Sequence, residues 1–177
     1  MAVSRAELEG AIRQVPNFPE PGILFFDILP LLRDPKLFSE LIKEIANFSN
    51  QVDVVVGIEA RGLILGAAIA LELGTGFVPL RKKGKLPGAT FEEGYGLEYG
   101  SDTLEVQAGI LERGDRVLLI DDVLATGGTL IAGAKLVERC GAVIESVAVA
   151  LEINELPGRE SFAAVFPNIA LNSLFLK

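Results

Sequence analysis

The chain has 177 residues, half of them hydrophobic, with a formal net charge of −8, one cysteine and no histidine. That length points to one domain with an ample core; the acidic balance excludes nucleic acid as a partner, because its phosphates require a basic surface. The absence of histidine removes Ser-His-Asp triads, Cys-His pairs, HExxH zinc sites and histidine general bases, and with one cysteine it leaves only a hard cation such as Mg2+, held by carboxylates and substrate phosphates, as a metal to expect.

The first predicted helix opens at a capping box, Ser4-Arg5-Ala6-Glu7, with Leu8, Ala11, Ile12 and Val15 on one face. Pro16, Pro19, Pro21 and Gly22 then break regular structure before Ile23–Ile28. Asp34-Pro35 is an N-cap and N1 pair, and Leu37, Phe38, Leu41, Ile42 and Ile45 form a helical stripe that runs to about Ser49. Val52–Ile58 reads as a central parallel strand, apolar on both faces apart from Asp53. It ends in Gly57-Ile58-Glu59-Ala60-Arg61-Gly62 and is followed by a helix over Leu63–Leu73. Phe77–Leu80 is a second buried strand. Residues 82–102 show little apolar periodicity and several glycines, the mark of a long irregular lid segment. Leu104–Val106 is expected as a short strand, in a hairpin across Gly100-Ser101.

Val117–Ile120 is the third buried strand, Leu130–Cys140 its helix and Val143–Leu151 the fourth strand. Cys140, within that helical pattern, reads as a buried structural thiol. Strands alternating with helices imply right-handed βαβ units and an open α/β sheet. No GxGxxG follows a strand and no GxxxxGK[ST] occurs, which excludes the dinucleotide fingerprint and the P-loop. No stretch approaches the ~20 apolar residues of a membrane span, and Met1-Ala2-Val3-Ser4-Arg5 lacks a signal-peptide core. A cytoplasmic protein with no membrane partner is expected.

The most informative stretch is residues 117–129, Val-Leu-Leu-Ile-Asp-Asp-Val-Leu-Ala-Thr-Gly-Gly-Thr. Asp121 and Asp122 can accept hydrogen bonds from two vicinal hydroxyls. The loop Ala125–Thr129 offers backbone N–H groups to a phosphate at a helix N-terminus, where the dipole favours negative charge. It contains no basic residue, so amides would do most of the holding. In an open α/β sheet, ligands sit at the carboxyl ends of the strands. Three charged loops fall there: Glu59–Arg61, Arg81–Lys85 and Asp121–Thr129. One carries acids and amide donors and two carry cations, which suits a ligand with hydroxyls, a monophosphate and a diphosphate.

Residues 117–129 match the signature of the phosphoribosyltransferases, enzymes that use phosphoribosyl pyrophosphate (PRPP). Further segments resemble the adenine phosphoribosyltransferase family. They are Phe18-Pro19-Glu20-Pro21-Gly22-Ile23, Gly57 to Gly62, Phe77-Val78-Pro79-Leu80-Arg81-Lys82, Gly84-Lys85-Leu86-Pro87-Gly88, Leu97-Glu98-Tyr99-Gly100 and Leu156-Pro157-Gly158-Arg159-Glu160, in the family's order over nearly the whole chain. The resemblance implies a type I phosphoribosyltransferase fold. Its open, mostly parallel sheet would be flanked by helices within one domain over 1–177, with a small base-binding hood at 1–33 and a mobile lid loop at 82–102.

The resemblance also implies the roles. Asp121 and Asp122 bind the ribose hydroxyls. Ala125, Thr126, Gly127, Gly128 and Thr129 cradle the 5′-phosphate. Arg61, Arg81, Lys82 and Lys85 bind pyrophosphate, the last three at reach of a neighbouring subunit. Adenine stacks between Phe25 and Ile153, with backbone groups of Leu24 and Phe26 reading its edge. Glu98 is the catalytic acid/base near N7 of the purine. Mg2+ is carried mainly by PRPP, with Asp121 or Asp122 as its protein ligand if it has one. The implied partners are adenine, PRPP, AMP, pyrophosphate and a second copy in a homodimer. A non-proline cis peptide is implied in the Glu59–Arg61 loop.

Two positions depart from the family pattern, Phe26 in place of a basic residue and Leu29 in place of Ser or Thr. Phosphoribosyltransferases for 6-oxopurines usually read the oxo group with a lysine after the fourth strand; Leu151-Glu152-Ile153-Asn154 has none, which favours adenine. A PRPP- or purine-sensing regulator is the alternative from another class. Such proteins commonly add a DNA-binding domain or a basic face, and neither is visible here.

Overall fold

The computed structural model describes residues 3–49, 51–97 and 100–177, with the backbone alone at 97, 100 and 101, and it divides into two compact units, 1–44 and 45–177. In the first unit the capping box forms as expected. The Ser4 hydroxyl accepts from the Glu7 amide at 3.2 Å, and the Glu7 carboxylate accepts from the Ser4 amide at 2.8 Å. The helix it starts, α1 (Arg5–Gly10), is shorter than the apolar stripe implied. Gly10 weakens its last turn, and Pro16 pushes the residue before it into extended backbone. Val15 therefore lies on a strand, β1 (Arg13–Pro16), which pairs antiparallel with β2 (Leu24–Asp27) so that Val15 faces Phe25 in register. Arg13 and Asp27 close this ribbon, with Nη2 2.5 Å from Oδ2. The Phe18 and Phe25 rings meet edge-on at 5.1 Å, and the Phe18–Pro19 bond is cis. A short helix, α2 (Leu29–Arg33), follows. Then comes α3 (Pro35–Ala46), capped as read from the sequence: Asp34 Oδ1 accepts from the amides of Lys36 and Leu37 at 2.8 and 3.1 Å.

The second unit is built on a seven-stranded sheet. Its elements are β3 (Val54–Ile58), α4 (Arg61–Leu73), β4 (Gly76–Lys82), β5 (Thr90–Leu97), β6 (Gly100–Gln107), β7 (Arg116–Leu124), α5 (Gly128–Arg139), β8 (Val143–Glu152), α6 (Gly158–Val165) and β9 (Ala170–Leu176). The strand order is β5-β6-β4-β3-β7-β8-β9. The run from β4 to β9 is parallel, while β6 is antiparallel to both β4 and β5. The expected open, mostly parallel sheet is therefore present. Its strands are apolar on both faces because helices cover them: Val56, Ile58, Leu80, Leu119, Leu130, Val137, Val147 and Phe162 belong to one buried cluster.

Residues 90–107 correct the expectation of a long irregular segment, since β5 and β6 form a hairpin in continuous register from Thr90↔Gln107 to Leu97↔Gly100. Glu93 stands on the inward face between Phe91 and Tyr95 and breaks the apolar period of two, while Glu92, Gly94 and Gly96 lie on the other face. On the face toward α5 are Phe91, Glu93 and Tyr95. Phe91 carries the Arg139 guanidinium 5.0 Å over its ring, and Glu93 pairs with Lys135 at 3.0 Å. Helix α6 and strand β9 were not read from the sequence. The segment Ala170-Leu171-Asn172-Ser173-Leu174 has weak patterning and becomes a strand only by pairing with β8.

Candidate active site

Strand β7 runs four residues past its last pairing with β3. Its ladder with β3 ends at Gly57↔Ile120, whereas the ladder with β8 continues to Leu124↔Glu152. Asp121 and Asp122 therefore sit inside a strand, on the stretch whose β3 side has been vacated, and not in the turn after it. Both are 6% exposed. The Asp121 carboxylate accepts from the Asp122 amide at 2.8 Å. Burial pushes the Asp121 carboxyl well above the usual carboxylate range, and the neighbouring Asp122 charge adds to it. A site with this electrostatic imbalance favours hydroxyl donors or a cation.

The loop after β7 reaches α5 through Gly127, whose φ is 88°. A Cβ there would fall 2.7 Å from the Gly158 carbonyl oxygen at the start of α6, so only glycine makes both the turn and the approach. No side chain caps α5, and its first turn carries no acidic residue. The amides of Gly128, Thr129 and Leu130 lie before the first helical acceptor is reached, since the Ile131 amide is the one that bonds Gly127. Free amides at an uncapped helix N-terminus are a favourable place for an anion.

Of the expected cations, Arg61, Arg81 and Lys82 are each paired with a carboxylate. Arg61, the first residue of α4, places Nε 2.5 Å from Asp122 Oδ2. Arg81, near the end of β4, makes a fork to Glu59 at 2.9 and 3.3 Å, and the Lys82 amide donates to the same carboxylate at 2.7 Å. The Arg81 guanidinium holds the Glu59 carboxyl below its ordinary value. Lys82 meets Asp102 of β6 at 2.8 Å, which raises the ammonium and lowers the carboxyl. Lys85 is exposed, and its amide donates to the buried Glu105 at 2.9 Å. Any anion approaching Arg61, Arg81 or Lys82 has to compete with the carboxylate each already holds. The peptide between Glu59 and Ala60 is cis, as the resemblance implied.

Tyr95 belongs to no sequence motif. It lies beside Thr129 and Asp102, and burial raises its phenol above the ordinary value. Glycines at 94 and 96 flank this one aromatic, the only local signal that singles it out. Leu24, Phe25 and Phe26 lie together on β2 of the first unit, and Ile153 follows β8 in the second, where its amide donates to the Leu124 carbonyl at 3.0 Å. Glu98 lies outside the described residues. Among the described residues no cluster of three or more His, Cys, Asp or Glu side chains could enclose a metal, and no helix is long and apolar enough to cross a membrane.

Residues 34–166 match the model of the phosphoribosyl transferase domain. An adenine phosphoribosyltransferase of a Nocardioides species is 52% identical over 166 residues, 90% of each chain. The chain belongs to the adenine phosphoribosyltransferase family. Solved members of the family carry the same fold. The adenine phosphoribosyltransferase of Rhodothermus marinus has a TM-score of 0.89 at 45% identity, covering 98% of both chains. That of Saccharomyces cerevisiae, in complex with adenine and an imino-altritol bisphosphate, has a TM-score of 0.89 at 41% identity, covering 97% of this chain and 98% of its own.

Proposed function

We propose that the protein transfers the 5-phosphoribosyl group from PRPP to adenine, giving AMP and pyrophosphate in purine salvage. The observation that carries this reading is the strand-end pair Asp121–Asp122, which leads into an uncapped helix N-terminus with Arg61 bound to Asp122, in a chain related to adenine phosphoribosyltransferases over nearly its whole length.

In the reaction N9 of adenine forms a bond to C1 of the ribose as the bond from C1 to the pyrophosphate oxygen breaks. Positive charge builds on the sugar ring and negative charge on the leaving group. Asp121 and Asp122 hold the ribose hydroxyls, and the amides and hydroxyls of Ala125–Thr129 hold the 5′-phosphate. Arg61, Arg81, Lys82 and Lys85 take the leaving pyrophosphate, an electrostatic contribution realised as its charge develops. Glu98 takes the proton that the purine gives up at N7. Phe25 and Ile153 hold the base, and the backbone of Leu24 and Phe26 reads its edge, a contact that survives the loss of a basic side chain at 26. The segment 82–102 keeps water from PRPP, which would otherwise be hydrolysed.

Two adjacent buried carboxylates are hard oxygen donors, and no all-protein cage is present among the described residues. Such a set suits Mg2+ carried by substrate phosphates, with Asp121 or Asp122 contributing at most one or two oxygens. When bound, Mg2+ neutralises charge on the leaving pyrophosphate. A cytoplasmic homodimer is the expected setting; the lone Cys140, which cannot form an internal disulfide, fits a reducing compartment.

The direct test is substrate choice. With Mg2+ and PRPP, purified protein is expected to consume adenine far faster than hypoxanthine or guanine; the reverse order would assign it to the 6-oxopurines. Glu98→Gln is expected to lower turnover on the order of 10²-fold with little change in PRPP affinity. Affinity and turnover falling in step would remove Glu98 from the chemistry.

A further inference from the structure

The Glu152–Arg159 pair has no part in the roles given above. Glu152 ends β8 and is 6% exposed, and a carboxylate so buried is unfavourable unless it is paired and hydrogen-bonded. Arg159, the second residue of α6, supplies a bidentate fork, Nε to Oε1 at 2.8 Å and Nη2 to Oε2 at 2.5 Å. Its Nη1 donates to the Leu171 carbonyl of β9 at 2.9 Å, and Nη2 also reaches the Ser173 hydroxyl at 2.8 Å. The Ser173 hydroxyl in turn donates to Glu152. The guanidinium holds the Glu152 carboxyl below its ordinary value, so the pair is ionised at neutral pH.

One side chain thus joins the end of β8, the start of α6 and the middle of β9. Between the first two lies the turn of residues 153–157. It is fastened at its entry by the amide of Ile153 on the Leu124 carbonyl at 3.0 Å, the amide of Asn154 on the Lys177 carbonyl at 2.7 Å and the amide of Lys177 on the Glu152 carbonyl at 2.8 Å. At its exit Gly158 is pressed against the phosphate loop, where a Cβ would fall 2.2 Å from the Ala125 carbonyl oxygen. An exposed ion pair contributes little to stability. This pair joins a buried carboxylate to a rigid fork, and its main product is geometry.

We propose that Arg159 is a positioning residue for the base: through Glu152 and Ser173 it fixes the turn that presents Ile153, and so sets the affinity for the purine. This rests on the reading of Ile153 as a wall of the adenine site. The test is steady-state kinetics with each substrate varied in turn, together with thermal melting, on Arg159→Lys, Arg159→Met and the double variant Glu152→Gln with Arg159→Met. The single methionine variant leaves a buried carboxylate half-paired and can fail to fold; the double variant removes both charges together and avoids that penalty.

In the folded double variant the KM for adenine is expected to rise on the order of ten- to a hundredfold, with the KM for PRPP and kcat changing only a few-fold. Arg159→Lys, which keeps the charge and loses the fork, is expected to fall between it and the wild type. An unchanged adenine KM in the folded double variant would overturn the proposal. So would adenine and PRPP KM values rising together in step with a lowered Tm, because that is what a merely structural residue would do. A wild-type protein that does not use adenine at all would instead refute the reading on which the proposal rests, and this is seen before any variant is made.

Discussion

Replacing Asp121 by asparagine is expected to make the unliganded protein more stable and the enzyme worse. Asp121 is buried beside Asp122, and its carboxyl lies well above the usual range because burial and the adjacent charge both oppose ionisation. The amide oxygen of asparagine can still accept the Asp122 amide that Asp121 now accepts at 2.8 Å. The substitution therefore removes an unfavourable charge and keeps the local hydrogen bond. A gain of about 1–2 kcal/mol is typical of relieving such a site, which is about 2–8 °C in Tm for a chain of this size.

The sign of the pH dependence follows. An acid whose folded pKa is raised binds its proton more tightly when folded than when unfolded, so stability declines as pH rises from the unfolded value, about 4, through the raised one. Wild type and variant should melt together at low pH and diverge in the variant's favour above it. Exchanging a charged acceptor for a neutral one at a ribose hydroxyl costs about 1.5–3 kcal/mol, so kcat/KM should fall on the order of ten- to a hundredfold. A variant less stable than the wild type at neutral pH would show that the carboxylate is compensated in the resting protein.

Gly127→Ala is expected to have the largest effect on PRPP. Two independent constraints meet at this residue, a left-handed φ of 88° and the Gly158 carbonyl 2.7 Å from where the Cβ would lie. The φ alone costs about 1–2 kcal/mol for a residue with a side chain. The contact is to backbone, which has no rotamer to yield, so the loop or α6 must shift. Amides that hold a phosphate work by position, and a displacement of about 1 Å costs on the order of 10²-fold. The KM for PRPP should rise by that order. Gly114 is a useful control, because its φ is +90° with nothing within 4 Å of the added Cβ. Gly114→Ala should lose a comparable conformational term in Tm and keep PRPP affinity. If both variants kept it, the loop would not be the phosphate cradle.

Arg61 shows how far the sequence could be read. Its role as a strand-end cation was legible from the buried Val54–Ile58 run and the glycine that follows at 62. Its partner was not. Glu59 is only two residues away, yet Glu59 pairs with Arg81 and Arg61 with Asp122, at separations of 22 and 61 residues. Those pairs exist because β4 and β7 both lie beside β3. The hairpin over 90–107 was half legible. Its closing end was expected, but the charged Glu93 between Phe91 and Tyr95 hid the apolar alternation, and the strand gains definition from Lys135 and Arg139 of α5.

The sequence by itself determined the parallel core and the family, and it marked out the loop proposed to hold phosphate. Strand periodicity, helix caps and glycine turns are written within a few neighbouring residues, and Asp121–Thr129 carries its whole chemistry in one segment. Only the tertiary structure decided which carboxylate each cation rests on, that Asp121 and Asp122 lie within a strand, and that Arg159 clamps the turn after β8. These depend on which strands adjoin and where each stops, and such distances close only when the sheet has formed.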